Sequence, residues 1–232
     1  MEPMAYLTRD AIRHMDMIEA LRRGIGQVLQ SEDEGVALCV CGTIGMLTAS
    51  TVDAQKRLLP SLLAFPLIVV HQRESEAMLK AWKPELASMR CHQAVYDQQI
   101  SIQVPRVEGI DLRTITMAEH DAVAQLYARY HDPSEIAGQI EAGAMIGAYA
   151  GDTLVGFVGM HEEGSIGMLQ VADGFRRRGV AAYLEAVMIQ RELGQGNVPF
   201  CQVTEHNGAS LALQRKLGMT VTSEPCLTWF MA

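Results

Sequence analysis

The chain has 232 residues, 49% of them hydrophobic, and a formal net charge of −8 at pH 7. This length suits one large domain or two small ones, and the negative charge argues against a non-specific nucleic-acid binder. No apolar run is long enough to span a bilayer, and the first residues carry no secretory signal pattern, so we expect a cytoplasmic protein without nucleic-acid or membrane partners.

Five cysteines are an odd number, and none form a Cys-x-x-Cys pair. We interpret them as buried, reduced thiols of a cytosolic protein. The histidines show no ligand-like spacing, so no metal site is predicted.

The first 108 residues predict an α/β domain of unclear role. Its predicted elements are helices at 9–22, 53–63 and 74–82 and strands at 36–41, 44–48, 67–70 and 91–96. The alternation of helices and strands favours crossover connections in a mixed sheet. A boundary is predicted at residues 104–109.

Residues 109–232 predict a second α/β domain, in which the signals for the ends of helices and strands are clearer. Thr116-x-x-Glu119 is a capping box for a helix to about Tyr130, and Asp132-Pro133 opens another helix. The remaining predicted elements are strands at 110–115, 144–150, 154–161, 165–171, 198–204, 220–222 and 227–230, with helices at 180–193 and 207–217.

The most informative stretch runs from Phe175 to Ala182, between a predicted strand and a predicted helix. The unpaired N–H groups of a helix's first turn and the helix dipole favour an anion there. Gly179 lets a phosphate approach the main chain, Val180, Ala181 and Ala182 open the helix, and Arg176, Arg177 and Arg178 add charged donors. We interpret this segment as a diphosphate-binding turn.

Two motifs resemble those of the GNAT superfamily, the acyl-CoA-dependent N-acyltransferases. Arg176-x-x-Gly179-x-Ala181 is similar to its pyrophosphate loop, Arg/Gln-x-x-Gly-x-Gly/Ala. Asn207-x-x-Ser210-x-x-Leu213, followed by Leu217-Gly218-Met219, is similar to its second hallmark. The resemblance covers residues 109–232 and implies a mixed α/β GNAT fold there, with a first half that could be a degenerate GNAT-like unit.

The resemblance also implies how acetyl-CoA, the co-substrate, would be held. The strands at 165–171 and 198–204 would splay apart, leaving main-chain groups of Leu169 and Val171 for the acyl group and pantetheine. The pyrophosphate would bind at residues 177–182, and Asn207 and Ser210 would lie along the pantetheine arm. The Val171 N–H could stabilise the tetrahedral oxyanion.

The sequence departs from the family at both positions that often carry proton-transfer residues. Ser165 stands where a base glutamate is common, and Gln214 stands where a tyrosine acid is common. Ser165 and Glu205 are therefore the candidate catalytic residues, with His206 beside them. His161, Glu162 and Glu163 are interpreted as surface turn residues, and Cys201 as a buried structural thiol.

Three hypotheses remain open from the sequence. The first is an N-acyltransferase acting on a small amine or amino acid, as in the glycine N-acyltransferase-like branch, working as a monomer or homodimer. The second is a CoA-binding sensor without turnover, and the third is an interaction scaffold built on the first half. Tyr127, Tyr130 and Tyr149 are candidates for lining the acceptor pocket.

Overall fold

The structure is a computed structural model, which describes residues 2–98, 100–127 and 133–231, the last range with main chain only at 133–135. Its α-helices are α1 (Pro3–Leu7), α2 (Met15–Arg22), α3 (Val52–Leu58), α4 (Arg73–Trp82), α5 (His120–Leu126), α6 (Pro133–Glu141), α7 (Val180–Gly194) and α8 (Gly208–Lys216). Its strands are β1 (Gly26–Glu32), β2 (Gly35–Val40), β3 (Ile44–Ala49), β4 (Leu67–Val70), β5 (Ala87–Val95), β6 (Asp111–Thr114), β7 (Ile146–Ala150), β8 (Thr153–Met160), β9 (Ile166–Val171), β10 (Phe200–Thr204), β11 (Thr220–Val221) and β12 (Leu227–Met231).

Two compact units divide the chain. The first unit contains the residues up to Val95 together with those from Phe200 onward, and the second contains Tyr96–Pro199. The last three strands therefore belong with the N-terminal half of the sequence.

The first unit is built on a mixed sheet of order β1-β2-β3-β4-β12-β5-β10, with β11 also pairing with β5. β3 and β4 are parallel, with Ile44 opposite Leu67, and α3 makes the crossover between them. β12 lies between β4 and β5, antiparallel to both. A strand from the end of the chain thus occupies an interior position among N-terminal strands. The mixed sheet predicted for residues 1–108 did not include this strand.

The second unit contains an antiparallel four-stranded sheet of order β6-β7-β8-β9. Its core on one face joins residues of the sheet to residues of α5 and α6: Ile115, Val123, Ile136, Ile140, Met145, Phe157 and Met168. The predicted capping box is confirmed, because Thr116 and Glu119 cap each other at the start of the short 3₁₀ turn that leads into α5. The predicted end of that helix at Tyr130 and the Asp132 cap lie outside the described residues.

The predicted helix at 9–22 is wrong in extent. The Asp10 carboxylate accepts a hydrogen bond from the Arg13 main-chain N–H at 3.2 Å, which gives the main chain a non-helical alternative. The α-helix within this range is therefore only α2, which begins at Met15, and a 3₁₀ turn at Thr8–Asp10 precedes it.

Strand β1 was not predicted, and β5 begins earlier than predicted. β1 carries a weak polar–apolar alternation because it is a half-exposed edge strand. β5 starts at Ala87 because its first residues pair with β12, with Ala87 opposite Met231. A partner more than a hundred residues away leaves no local signal.

The cysteine prediction holds for three of the five thiols. All five are free, and Cys91, Cys201 and Cys226 are buried, but Cys39 and Cys41 are only half-buried. Burial raises the pKa of Cys91 to about 12, with smaller contributions from Cys226 and Glu205, so this thiol is unreactive at neutral pH.

A buried polar network connects α2 to β3 and β4. Asp16 accepts hydrogen bonds from His71 Nε2 at 3.1 Å, and the other ring nitrogen of His71 lies 3.0 Å from the Leu47 carbonyl oxygen. His14 Nδ1 lies 3.0 Å from the Leu7 carbonyl oxygen and its Nε2 lies 2.9 Å from the Thr48 hydroxyl. Two acceptors around His71 favour its charged form, whereas the hydroxyl beside His14 suits a neutral ring.

Candidate functional site: an amide cradle at the end of an edge strand

Strand β9 ends its sheet and carries a β-bulge. It pairs with β8 alone, and the register shifts between Phe157 opposite Gln170 and Gly159 opposite Gly167. Met168 lies in this shift with φ of 54°, a left-handed conformation that is uncommon for a residue with a side chain. A bulge leaves one residue outside the ladder, so main-chain groups near Met168 are turned away from β8.

The open edge of β9 includes Val171. The next residue, Ala172, donates its N–H to the Val155 carbonyl oxygen of β8 at 2.8 Å. The Val171 carbonyl oxygen instead accepts Arg176 Nε at 3.1 Å. Because the N–H and C=O of one residue in an antiparallel strand point the same way, the Val171 N–H also faces the open edge.

The turn after β9 forms a concave row of main-chain amides. Arg177 has φ of 60° and Gly179 has φ of 89°, so left-handed residues alternate with ordinary ones. α7 begins directly after Gly179 without a side-chain cap. The turn at 176–179 is closed only by weak hydrogen bonds, and none of the amides from Arg177 to Ala182 makes a main-chain hydrogen bond of good geometry with a described residue. We call this row the amide cradle; such rows at a helix N-terminus attract anions.

The three arginines of the turn have different roles. Arg176 forms the Val171 hydrogen bond and an ion pair with Asp173 at 2.9 Å, so its side chain holds the turn to the end of β9. The Arg178 guanidinium lies 4.9 Å from the centroid of the Phe175 ring. Arg177 is exposed and makes no side-chain contact of this kind with any described residue. The sequence analysis treated these three arginines alike, as charged donors. Their different roles depend on the main-chain geometry of the turn, which the sequence does not show.

The first half repeats this element order without the cradle. Its helices α1 and α2 are followed by three strands, a helix, a strand and a helix, as α5 and α6 are in the second half. Between β3 and α3, however, only Ser50 and Thr51 intervene, and the Thr51 side chain caps α3. β3 is also paired on both sides. The first half therefore offers neither an open edge nor free helix amides at this place.

The hairpin that joins β8 to β9 corrects one sequence interpretation. Glu163 is only 4% exposed and Ser165 only 2%, and the Ser165 hydroxyl donates a hydrogen bond to Glu163 Oε1 at 2.5 Å. Glu163 is therefore a buried carboxylate rather than a surface turn residue. The sequence signal that could have indicated this pair is the spacing of Glu163 and Ser165, two residues apart at the start of the predicted strand.

The remaining candidates lie in the first unit. The Asn207 side chain accepts the Ser210 N–H at 3.1 Å, so Asn207 caps α8 as predicted. Glu205 lies 3.5 Å from Arg90 Nη1, and the exposed His206 lies 3.5 Å from Glu205 Oε1. β10 is the edge strand of its sheet and pairs there with β5.

Several other candidate residues are buried or packed against the fold. Cys201 and Gln214 are buried. Tyr149 is also buried and donates a hydrogen bond to Glu119 at 3.2 Å, while the Tyr127 ring packs edge-on against Phe157. Tyr130 lies outside the described residues. Tyr149 is therefore tied into the fold rather than exposed to a pocket.

No described helix is long and apolar enough to cross a membrane. No group of three or more His, Cys, Asp and Glu side chains among the described residues could hold a metal ion.

Comparison with known proteins identifies the fold. Residues 145–227 match the family described as FR47-like protein, and no curated protein matches the chain. A Drosophila protein of known structure superposes with a TM-score of 0.75 at 14% identity, over 97% of this chain and 92% of that one.

Two bacterial structures are similar over the same extent. A GCN5-related N-acetyltransferase-like protein from Streptococcus suis gives a TM-score of 0.57 at 12% identity and 98% coverage of both chains. A GCN5-related N-acetyltransferase from Sphaerobacter thermophilus gives 0.54 at 18% identity, over 98% of this chain and 91% of that one. Residues 145–227 therefore resemble the FR47-like family, and the fold along nearly the whole chain is similar to that of these GCN5-related N-acetyltransferases.

Proposed function

We propose that the chain is an acyl-CoA-dependent N-acyltransferase that transfers an acetyl or short acyl group to a primary amine. The observation that carries the proposal is the amide cradle at 177–182, placed at the end of an edge strand that has a bulge. A diphosphate needs several donors at once, and a thioester arm needs an unpaired strand edge. One continuous segment supplies both.

Different residues of the second unit would bind different parts of acyl-CoA. The amides of 177–182 would bind the diphosphate, and Arg177, whose side chain is exposed, would add a charge-assisted hydrogen bond. Main-chain groups of Leu169 and Val171 would align the pantetheine arm and the acyl group. In the first unit, Asn207 and Ser210 remain predicted contacts for the pantetheine arm.

Acyl transfer would proceed by direct attack. The neutral amine forms a bond to the thioester carbon, and the Val171 N–H on the open edge stabilises the oxyanion. The amine proton passes to a base, the C–S bond breaks, and the thiol leaves protonated. Buried Cys201 has no part in this scheme, since direct attack needs no covalent enzyme intermediate.

A small amine or amino acid is the proposed acceptor. To test the activity, CoA thiol release from acetyl-CoA is followed across a panel of small primary amines and amino acids. Turnover with at least one acceptor supports the proposal. Absence of both turnover and acetyl-CoA binding contradicts it.

A CoA-binding sensor is the second candidate. Gln214 is buried where the family often has a tyrosine acid, and Ser165 is bound to Glu163 where a base glutamate is common. Neither residue can exchange protons as those groups do. Calorimetry that shows acetyl-CoA binding, with no thiol release across the panel, would favour the sensor.

A further inference from the structure

We propose that a cavity in the first unit binds a free α-amino acid with a polar side chain. The cavity lies where β4 ends and α4 begins, beside the start of β12. Binding there needs neither CoA nor acyl transfer, so this site goes beyond the proposed function.

The size of the cavity suits a small metabolite. Its volume is about 270 Å³, and all of its lining residues belong to the first unit. Pockets for drug-sized ligands are larger, at roughly 300–1,000 Å³. An amino acid takes the space of only a few water molecules of about 30 Å³ each, so it fits, whereas a whole CoA molecule does not.

Charged side chains of both signs line the cavity. Their guanidinium and carboxylate groups belong to Arg13, Arg73, Arg90, Glu74, Glu76 and Glu224. A ligand with a single charge would meet groups of its own sign on this wall, and an apolar ligand would leave polar groups without partners. A zwitterion offers a counterpart to each sign.

An exposed ion pair at the cavity supplies both contacts for the amino-acid head group. The side chains of Arg73 and Glu224 are 68% and 78% exposed, and Arg73 Nη2 lies 3.6 Å from Glu224 Oε2. An exposed pair of this length contributes little to stability, so a ligand displaces it at low cost. The carboxylate and ammonium of an α-amino acid are attached to one carbon, and they replace the two partners side by side.

The third carboxylate of the wall, Glu76, is already bound within the protein. Its Oε1 lies 2.6 Å from Lys80 Nζ, and its Oε2 accepts the Thr228 hydroxyl at 3.0 Å. The ligand ammonium is therefore left to the exposed carboxylates, Glu224 and its neighbour Glu74.

The inner wall carries guanidinium donors for the ligand side chain. The Arg90 side chain is 24% exposed, and its Nε and Nη1 lie 3.4 Å from Glu76 and 3.5 Å from Glu205. Charge-assisted hydrogen bonds are shorter, at about 2.7–2.9 Å, so these contacts leave Arg90 with donor capacity. Together with half-buried Arg13, it favours a side chain that offers an acceptor, such as an amide, over an aliphatic one.

The test is calorimetry of the intact protein with L-glutamine, without CoA. We expect saturable binding. Affinity should be at least tenfold lower for 4-aminobutanamide, which lacks the carboxylate, and for glutaramate, which lacks the ammonium, because each loses one charge-assisted contact. L-Leucine, which keeps both charges but has an aliphatic side chain, should also bind more weakly.

Two variants at the exposed pair locate the head group. Arg73→Gln and Glu224→Gln should each weaken glutamine binding about tenfold, and the exposure of both side chains allows the variants to fold. Glu85→Gln is the matched control, because Glu85 is an exposed glutamate of the same unit that does not line the cavity. In NMR spectra, glutamine should shift the amide signals of 72–76 and 224–228 and leave those of 177–182 in place.

Four results would each overturn the inference: no glutamine binding up to about 10 mM, equal affinity for glutaramate, unchanged affinity in both variants, or amide shifts confined to other segments. None of them affects the proposed function, because no part of this test uses CoA. Conversely, a protein that binds glutamine here but neither binds acetyl-CoA nor releases thiol would contradict the proposed function alone.

Discussion

Left-handed main-chain conformations at single residues give the cradle its shape. Gly179 has no Cβ to oppose its φ of 89°, whereas Arg177 adopts φ of 60° with a full side chain. Since the N–H groups point into the concave side only while both conformations are kept, the proposed binding of a diphosphate would depend on these two positions.

Gly179→Ala should weaken CoA binding at least tenfold and lower the free energy of unfolding by ~1–2 kcal/mol. The added Cβ strains the left-handed conformation and lies 3.4 Å from Val107, so the turn relaxes and the amides separate. Calorimetry with CoA and denaturant unfolding measure the two effects. Gly174→Ala, in the same turn but with open space at its Cβ, is the control. Equal affinities for the two variants would show that the cradle does not require this geometry.

The histidine network of the first unit predicts a pH dependence of stability. Burial lowers the pKa of His14 from 6.5 to about 4, and the charge of His71 adds to the effect. Between pH 6.5 and about 4, His14 is therefore protonated in the unfolded chain but stays neutral in the folded chain. Stability from His14 should be fully present above pH 6.5 and fall by ~3 kcal/mol as the pH decreases to 4.

The contribution of His71 to stability changes with pH in the opposite direction. Burial by itself lowers its pKa, but the charge of Asp16 and the hydrogen bond to it prevail and raise the pKa. Its contribution is therefore complete below pH 6.5 and decreases as the pH rises through the raised value.

Unfolding free energies measured between pH 4 and 7 separate the two histidines. His14→Gln should flatten the acidic side of the profile, and the exposed His206→Gln should leave it unchanged. An unaltered acidic slope in His14→Gln would contradict the neutral, buried state of His14.

At the scale of elements, β9 and its turn act as one unit because Arg176 links them. Its guanidinium joins the last carbonyl of β9 to Asp173, while the Arg177 guanidinium forms no hydrogen bond or ion pair with a described side chain. Under the proposed function, the two neighbouring arginines would therefore affect CoA binding in different ways.

Arg176→Ala and Arg177→Ala should therefore have different effects on CoA affinity and on the turn. Arg177→Ala should reduce CoA affinity about tenfold, with less dependence on salt and no change in stability, because only a charge-assisted contact is lost. Arg176→Ala should also loosen the turn, which faster amide hydrogen exchange at residues 172–179 would report. Identical exchange in the two variants would exclude the linking role of Arg176.

Sequence patterns predicted the elements whose signals are local. The capping box at Thr116, the Asn207 cap and the glycine before α7 each mark an element boundary by their own hydrogen bonds or dihedral angles, and each is confirmed. The bulge at Met168 and the buried Glu163 were not predicted, since register and burial depend on β8. In the candidate site, the glycine turn before α7 could be predicted from the sequence, whereas the left-handed conformation of Arg177 could not.

At the scale of the whole molecule, the two halves of the sequence share a sheet. β12 fills the position between β4 and β5, and β10 and β11 pair with β5. Strand partners this distant in sequence give no periodic signal, so the prediction of two domains at 1–108 and 109–232 could not include them. That boundary stays a prediction about sequence organisation.

Neither half should fold stably alone. Residues 109–232 lack β5, the partner of β10, β11 and β12, and residues 1–108 lack β12. Each fragment should give poorly dispersed NMR spectra, and mixing the two should restore the native spectrum. A well-dispersed spectrum from 109–232 alone would show that β5 is dispensable and that the first half serves another purpose.

The proposed function depends most on capture of the CoA diphosphate by the main chain at 177–182. Amide resonances of the intact protein, recorded during titration with CoA and, separately, with pantetheine, test this directly. We expect CoA to shift the amide signals of 177–182 most strongly, and pantetheine, which has no diphosphate, to leave them in place. CoA binding that moves other amides and leaves these six unchanged would contradict the assignment.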